Sequence, residues 1–159
     1  MKLLAIDPGT TESGWVRMDG MDVMSFGKNG NEDVLRLLYS CCQMDVVVIE
    51  QIASYGMAVG KEVFATVHWS GRFHQAIIGY SPVVLLPRRE VKLALCGTPR
   101  ANDSNVRQAV MDLYPATGGG SCPQKGTKAN PGPLYGMSKD MWQALALGVA
   151  YQQIQEGKG

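Results

Sequence analysis

The sequence predicts an α/β protein: one domain over residues 1–159, with a mixed sheet of about five strands, three antiparallel and then parallel, flanked by helices. Three observations carry that prediction. Two apolar runs, Leu3-Leu4-Ala5-Ile6 and Val46-Val47-Val48-Ile49, have the make-up of strands covered on both faces. Two shorter strand-like segments follow the first run and are joined by Asp19-Gly20, a favoured hairpin turn. Segments with helical spacing then alternate with the later strands, as crossover connections do.

The elements follow in order. Lys2–Ile6 is a buried strand ending at Asp7, and Pro8-Gly9-Thr10-Thr11 makes a tight turn. Gly14–Asp19 and Met21–Phe26 are the next two strands. Asn31–Cys42 fits an amphipathic helix, with Asn31 as its cap and Val34, Leu37 and Leu38 on one face. Asp45–Glu50 is a strand. Lys61 to about Tyr80 is a long helix in which Val63, Val67, His74 and Ile78 recur near helical spacing. Pro82–Leu86 is another strand, and Glu90–Leu95 and Asn105–Tyr114 are short helices. Between Pro115 and Met137 the chain is rich in Gly, Pro and Lys without periodicity, which predicts a functional loop or a disordered one. Lys139–Gln155 is the closing helix; Ala144, Ala146, Gly148 and Ala150 allow it to pack closely on the sheet.

Composition narrows the function classes. With 45% hydrophobic and 18% charged residues the chain has the make-up of a soluble globular protein. No apolar run is long enough to cross a membrane, and MKLLAIDPGT lacks a cleavage site, so the expected location is the cytoplasm. Cys41, Cys42, Cys96 and Cys122 show no C-x-x-C spacing, which predicts reduced thiols and no zinc. The net charge of +1 is unevenly spread. Eight basic residues meet four acids from Arg88 to Asp140, whereas acids predominate before Arg88, so one side offers a candidate phosphate-binding face.

The chemistry centres on acids at strand ends. Asp7 follows Leu-Leu-Ala-Ile and Glu50 follows Val-Val-Val-Ile. If those strands are parallel neighbours, both carboxylates project into one place, where they repel each other unless a cation intervenes. Hard cations such as Mg²⁺ take oxygen ligands of this kind. The alternative is that the two acids only mark where strands reach solvent. Asp140 is open in the same way: an Asp in a first helical turn is favoured by capping and the helix dipole alone. Its helix is otherwise nearly all apolar, and packing on the sheet would carry it toward the strand ends.

The order of these segments resembles a known family. Ala5-Ile6-Asp7-Pro8-Gly9-Thr10, Val48-Ile49-Glu50, Glu90-Val91-Lys92-Leu93-Ala94-Leu95-Cys96-Gly97, Asn102-Asp103-Ser104-Asn105-Val106-Arg107 and Asp140-Met141-Trp142-Gln143-Ala144-Leu145-Ala146 fall as in the RuvC-type Holliday-junction resolvases, members of the RNase H-like, retroviral-integrase-like superfamily. The Gly-Gly-Gly and Gly-Pro-Leu-Tyr-Gly loop is similar to that of bacteriophage-encoded members. The resemblance spans nearly the whole chain. It implies an RNase H-like fold and a homodimer that cuts four-way DNA junctions. It also implies that Asp7, Glu50 and Asp140 hold two Mg²⁺ or Mn²⁺ ions, about 4 Å apart, for phosphodiester hydrolysis. Lys92, Arg100 and Arg107 would follow the phosphates, and the helix over Lys61–Tyr80 would serve as a dimer face.

One departure stands out. Well-known members carry a fourth acid three residues after the position of Asp140, where this chain has Gln143. Gln143 shares a helix face with Asp140 and its carbonyl can reach a metal or its water, but it brings no charge. Asp103 is a candidate replacement, or alternatively the cap of its helix. Tyr55, just past Glu50, is placed to stack on an unpaired base, and Lys125 and Lys128 lie in a loop that could close over DNA. His68 and His74 are spaced too unevenly for a metal pair, and Trp69 and Phe73 fit core or interface.

Rival readings remain at this stage. Asp7-Pro8-Gly9-Thr10-Thr11 also resembles the first phosphate loop of actin-like ATPases and sugar kinases, which need two such domains. A junction-binding protein with a weakened site, suggested by Gln143, predicts binding without cleavage. A nuclease of the same fold acting on other branched DNA or on RNA hybrids is a third possibility.

Overall fold

In the computed structural model, which describes residues 1–40 and 44–157, the first apolar run becomes the centre of a five-stranded sheet. The strands are β1 (Lys2–Asp7), β2 (Glu12–Asp19), β3 (Asp22–Gly30), β4 (Val46–Gln51) and β5 (Val83–Pro87), in the spatial order β3-β2-β1-β4-β5. β1, β2 and β3 pair antiparallel, whereas β4 runs parallel to both β1 and β5. The expected three-antiparallel-then-parallel sheet is therefore what forms.

Alternation along the strands divides the core into two layers. Leu3 and Ala5 of β1, Val16 and Met18 of β2, and Val46 and Val48 of β4 face one side. There they meet α3 (Arg88–Cys96), α4 (Asp103–Asp112) and α5 (Lys139–Gln155). Leu4, Ile6, Val47 and Ile49 face the other side, against α1 (Asn31–Ser40) and α2 (Lys61–Ile77). Ala144, Ala146, Gly148 and Ala150 are all buried, so α5 lies flat on the sheet as its small residues predict. A Cβ at Gly148 would come 2.7 Å from the Met18 sulfur.

Several expectations need correction. Asn31 begins α1 but does not cap it. Its side chain accepts a 2.6 Å hydrogen bond from the Ser13 hydroxyl and donates one of 3.0 Å to the Gly9 carbonyl. A buried amide so engaged is a tether for the β1–β2 turn. α4 starts two residues earlier than expected, because Asn102 and Asn105 form a reciprocal capping box; Asp103 is therefore not the cap. α3 starts directly after β5, with no intervening loop.

α2 ends at Ile77, and its inward residues are Phe73, Ala76 and Ile77 with Trp69 beside them; Val67 and Ile78 face outward. Trp69 and Phe73 join this core layer, as expected, with ring centroids 5.9 Å apart. His68 meets Trp69 edge-on. Cys41 and Cys42 lie outside the described residues.

The stretch from Pro115 to Met137 is a folded strap. The Gly118 and Gly132 amides donate to the carbonyls of Pro123 and Lys125, and the Leu134 amide to that of Gln124. Leu134 and Met137 are buried in the α5-side core. Glycine makes this possible: a Cβ at Gly126 would lie 2.2 Å from the Gly132 nitrogen, and Gly126 has φ +73°. Among the described residues no helix is long and apolar enough to cross a membrane.

Candidate active site

Asp7 is the last residue of β1 and Glu50 the last but one of β4, its parallel neighbour, with the two strands paired in register up to Ile6 beside Ile49. Side-chain alternation then decides their direction. Asp7 shares the side of Leu3 and Ala5, and Glu50 that of Val46 and Val48, so both carboxylates project toward α3, α4 and α5. The two carboxyls are near enough to act on each other electrostatically. Burial, followed by the charge of Glu50, pushes the Asp7 carboxyl up to about 8, and burial likewise raises Glu50. With both carboxyls raised by burial, a proton or a cation between them relieves the cost of two desolvated negative charges.

The row continues across the sheet. Asp7 pairs with Gly14, and Gly14 with Lys28. Gly14 has no side chain, and the first turn of α5 fills the space above it: a Cβ there would come 2.5 Å from the Asp140 carbonyl oxygen. Asp140 thus sits over the gap between Lys28 and Asp7. Its carboxylate accepts from Lys28 Nζ at 2.8 Å, and Lys28 also meets Glu12 at 3.1 Å. The charge of Asp140 is felt at Asp7, where it adds to the upward shift.

On the far side of Glu50 stands Arg88, the first residue of α3. Its guanidinium donates to Asp103 at 2.8 Å and lies 3.8 Å from Glu50 through a buried nitrogen that makes no hydrogen bond. That bond holds Asp103 below the usual carboxylate range. Lys92, one turn along α3, acts electrostatically on both Glu50 and Asp103.

The structure therefore gathers Asp7, Glu50 and Asp140, with Asp103 at the rim through Arg88 and Lys92 nearby. Gln143 is half-buried one turn further along α5 and makes no hydrogen bond among the described residues. Tyr55 is exposed in the segment after β4. Arg107 lies over the Trp142 ring at 4.8 Å. Arg100 is exposed and lines an open cleft between α3 and α4 with Asn105. Lys125 and Lys128 lie in the strap and pair with no acid among the described residues.

Lys28 and Arg88 were not foreseen as site residues. Arg88 had a usable signal, since it follows a parallel strand as Asp7 and Glu50 do. Lys28 had none, because only the register of β3 brings it into the row.

The donor set suits a hard divalent cation: two desolvated carboxyls on adjacent strands and a third within electrostatic reach. As they stand, no three acid, histidine or cysteine side chains among the described residues are close enough to hold one ion together. Asp140 is turned to Lys28 instead.

No protein-family profile matches the sequence, and no curated protein matches it either. Solved structures do. RuvC from Thermus thermophilus superposes with a TM-score of 0.60 at 16% identity, covering 99% of this chain and 98% of that one. The fold is that of RuvC. RuvC from the same organism in complex with a Holliday junction substrate gives a TM-score of 0.64 at 17% identity, covering 99% of this chain and 97% of that one. The RNase H-like arrangement of RuvC thus accounts for the sheet order and the helices on both faces.

Proposed function

We propose that residues 1–159 form one nuclease domain, a structure-selective endodeoxyribonuclease that resolves four-way or other branched DNA junctions by metal-dependent phosphodiester hydrolysis. The observation that carries this reading is the placement of Asp7 and Glu50 on adjacent parallel strands, both aimed at the face on which α5 holds Asp140. The RuvC fold supplies the substrate class, since one of the matching structures holds a Holliday junction.

In this reading Asp7, Glu50 and Asp140 would together hold two Mg²⁺ or Mn²⁺ ions, Asp140 serving the one nearer Lys28, with Gln143 as a neutral neighbour. Bound there, divalent ions supply Lewis-acid stabilisation of the phosphate and an activated water. The chain's own part is positioning. Asn31 and Ser13 fix the turn after Asp7, Gly14 lets Asp140 approach, and Arg88 holds Asp103 beside Glu50. Lys92, Arg100, Arg107, Lys125 and Lys128 provide charge for DNA phosphates, and Tyr55 an exposed ring for an unpaired base. A homodimer would place two such sites on one junction; Phe64 and Val67 leave α2 an apolar outer face suited to that contact. The setting would be the cytoplasm of a cell, or of the host if a bacteriophage encodes the chain.

The test is cleavage of a labelled synthetic four-way junction in Mg²⁺ or Mn²⁺. Paired nicks on opposite strands, lost in Asp7→Asn, are expected. Binding without cleavage in both metals would favour the second reading, a junction-binding protein with a weakened site. Gln143 and the Lys28–Asp140 ion pair are the observations behind that alternative.

A further inference from the structure

Three positions of one cross-sheet row explain why Asp140 stands apart from Asp7 and Glu50. Lys28, Gly14 and Asp7 are register neighbours on β3, β2 and β1, all directed to the α5 side. Gly14 offers no side chain, so the start of α5 rests on it with Asp140 overhead. The carboxylate of Asp140 therefore has a cation on one side and two buried acids on the other. It is paired with the cation, at 2.8 Å.

The cation has an alternative partner. Lys28 Nζ is 3.1 Å from Glu12, the first residue of β2 and two positions before Gly14, and the Lys28 side chain is more than one-third exposed. A lysine is a compact charge on a flexible four-carbon stem. Lys28 can leave Asp140 and remain paired with Glu12, so no charge is stranded when it moves.

We infer that Lys28 is a tethered competitor for the metal at Asp140, keeping the second ion position closed until Lys28 retires to Glu12. The inference rests on the metal-dependent reading proposed above and adds to it a residue and an order of events. The Asp7–Glu50 position fills first, because among the described residues no cation hydrogen-bonds to either carboxylate there; Arg88 stays 3.8 Å from Glu50. The Asp140 position fills second and more weakly, because an ion there must displace Lys28.

Calorimetric titration of the metal-free full chain with Mn²⁺ tests this. Exposed ion pairs are individually weak, so Lys28→Met is expected to tighten the weaker site by roughly fivefold and leave the tighter one unchanged. Lys28→Arg keeps the charge and should match the wild type. Adding Asp140→Asn to Lys28→Met should abolish the gain. Lys92→Met removes an equal charge on the Glu50 side; if it tightens the weaker site as much, the effect is bulk charge and the role of Lys28 falls. Equal binding by wild type and Lys28→Met also overturns the inference, while leaving the metal reading intact. Absence of Mn²⁺ binding by every form overturns the metal reading itself.

Discussion

Gly14 of β2 lies directly beneath Asp140 of α5, so close that a single added carbon would stand 2.5 Å from the Asp140 carbonyl oxygen and 2.7 Å from its carbonyl carbon. Both obstructing atoms are backbone, so a rotamer change cannot relieve the contact. Gly14→Ala must lift the first turn of α5. Overpacking of this kind costs about 1–3 kcal/mol. A lower thermal midpoint together with at least tenfold slower junction cleavage is expected. Cleavage at the wild-type rate would show that Asp140 need not sit at this height.

Asp7→Asn should separate activity from stability. The folded protein raises the Asp7 carboxyl from 3.8 to about 8, so it binds a proton more tightly than the unfolded chain does. That contribution is fully present below about pH 4 and is lost as the pH rises through about 8. In chelator, the wild type should therefore lose stability across that window. Asp7→Asn should flatten the profile and be the more stable protein at pH 8, by an amount on the order of 1 kcal/mol or more. Mg²⁺ should restore the wild type at pH 8 and leave the variant unchanged. Denaturant midpoints measured from pH 5 to 8, with and without Mg²⁺, read all three effects.

Asn31→Leu should loosen the turn after Asp7. The change removes the acceptor of the Ser13 hydroxyl and the donor to Gly9, leaving buried polar atoms without partners. Such losses cost about 1–3 kcal/mol. Urea unfolding should show that drop, and faster amide exchange at residues 8–13 should localise it. Unchanged exchange there would mean that the turn holds without its tether.

Arg88→Met should leave Glu50 and Asp103 facing each other with no cation between them. Removing one partner of a largely buried pair is costly, about 2–4 kcal/mol. Adding Asp103→Asn should recover part of the loss, since it removes the uncompensated charge. A double variant no more stable than Arg88→Met would mean that the guanidinium acts mainly through Glu50.

Arg107 and Lys92 should behave differently on DNA. Arg107 already stacks on Trp142, so Arg107→Ala is expected to lower stability by about 0.5–1 kcal/mol. Lys92→Ala should leave stability nearly unchanged. It should reduce the slope of log affinity against log salt by about 0.9, the signature of one lost phosphate contact. Fluorescence anisotropy of a labelled junction at several salt concentrations, beside thermal melts, distinguishes the two.

Much of the fold was legible because it depends on local pattern. Val46-Val47-Val48-Ile49 can only be a strand covered on both faces, and the small residues of α5 already marked the helix that lies flat on the sheet. Asp7 and Glu50 were legible for the same reason: an acid closing an apolar strand is a local feature, and the parallel pairing of β1 with β4 then brings two such ends together. The order of the strap over 115–137 was not legible, because it comes from glycines meeting one another across the loop, which no periodicity records. Asn31 was misread as a cap because its true partners, Gly9 and Ser13, are distant in sequence.

The sequence by itself determined the sheet, the helices and two of the three gathered acids, because strand and helix formation follow from side-chain type and spacing. Only the tertiary structure decided where the charges end up. Register across β1, β2 and β3 set Lys28 in line with Asp7, and the bare backbone of Gly14 let Asp140 settle between them. Charges act through distance, and the distances between segments far apart in the chain exist only once the sheet is paired and α5 has packed on it.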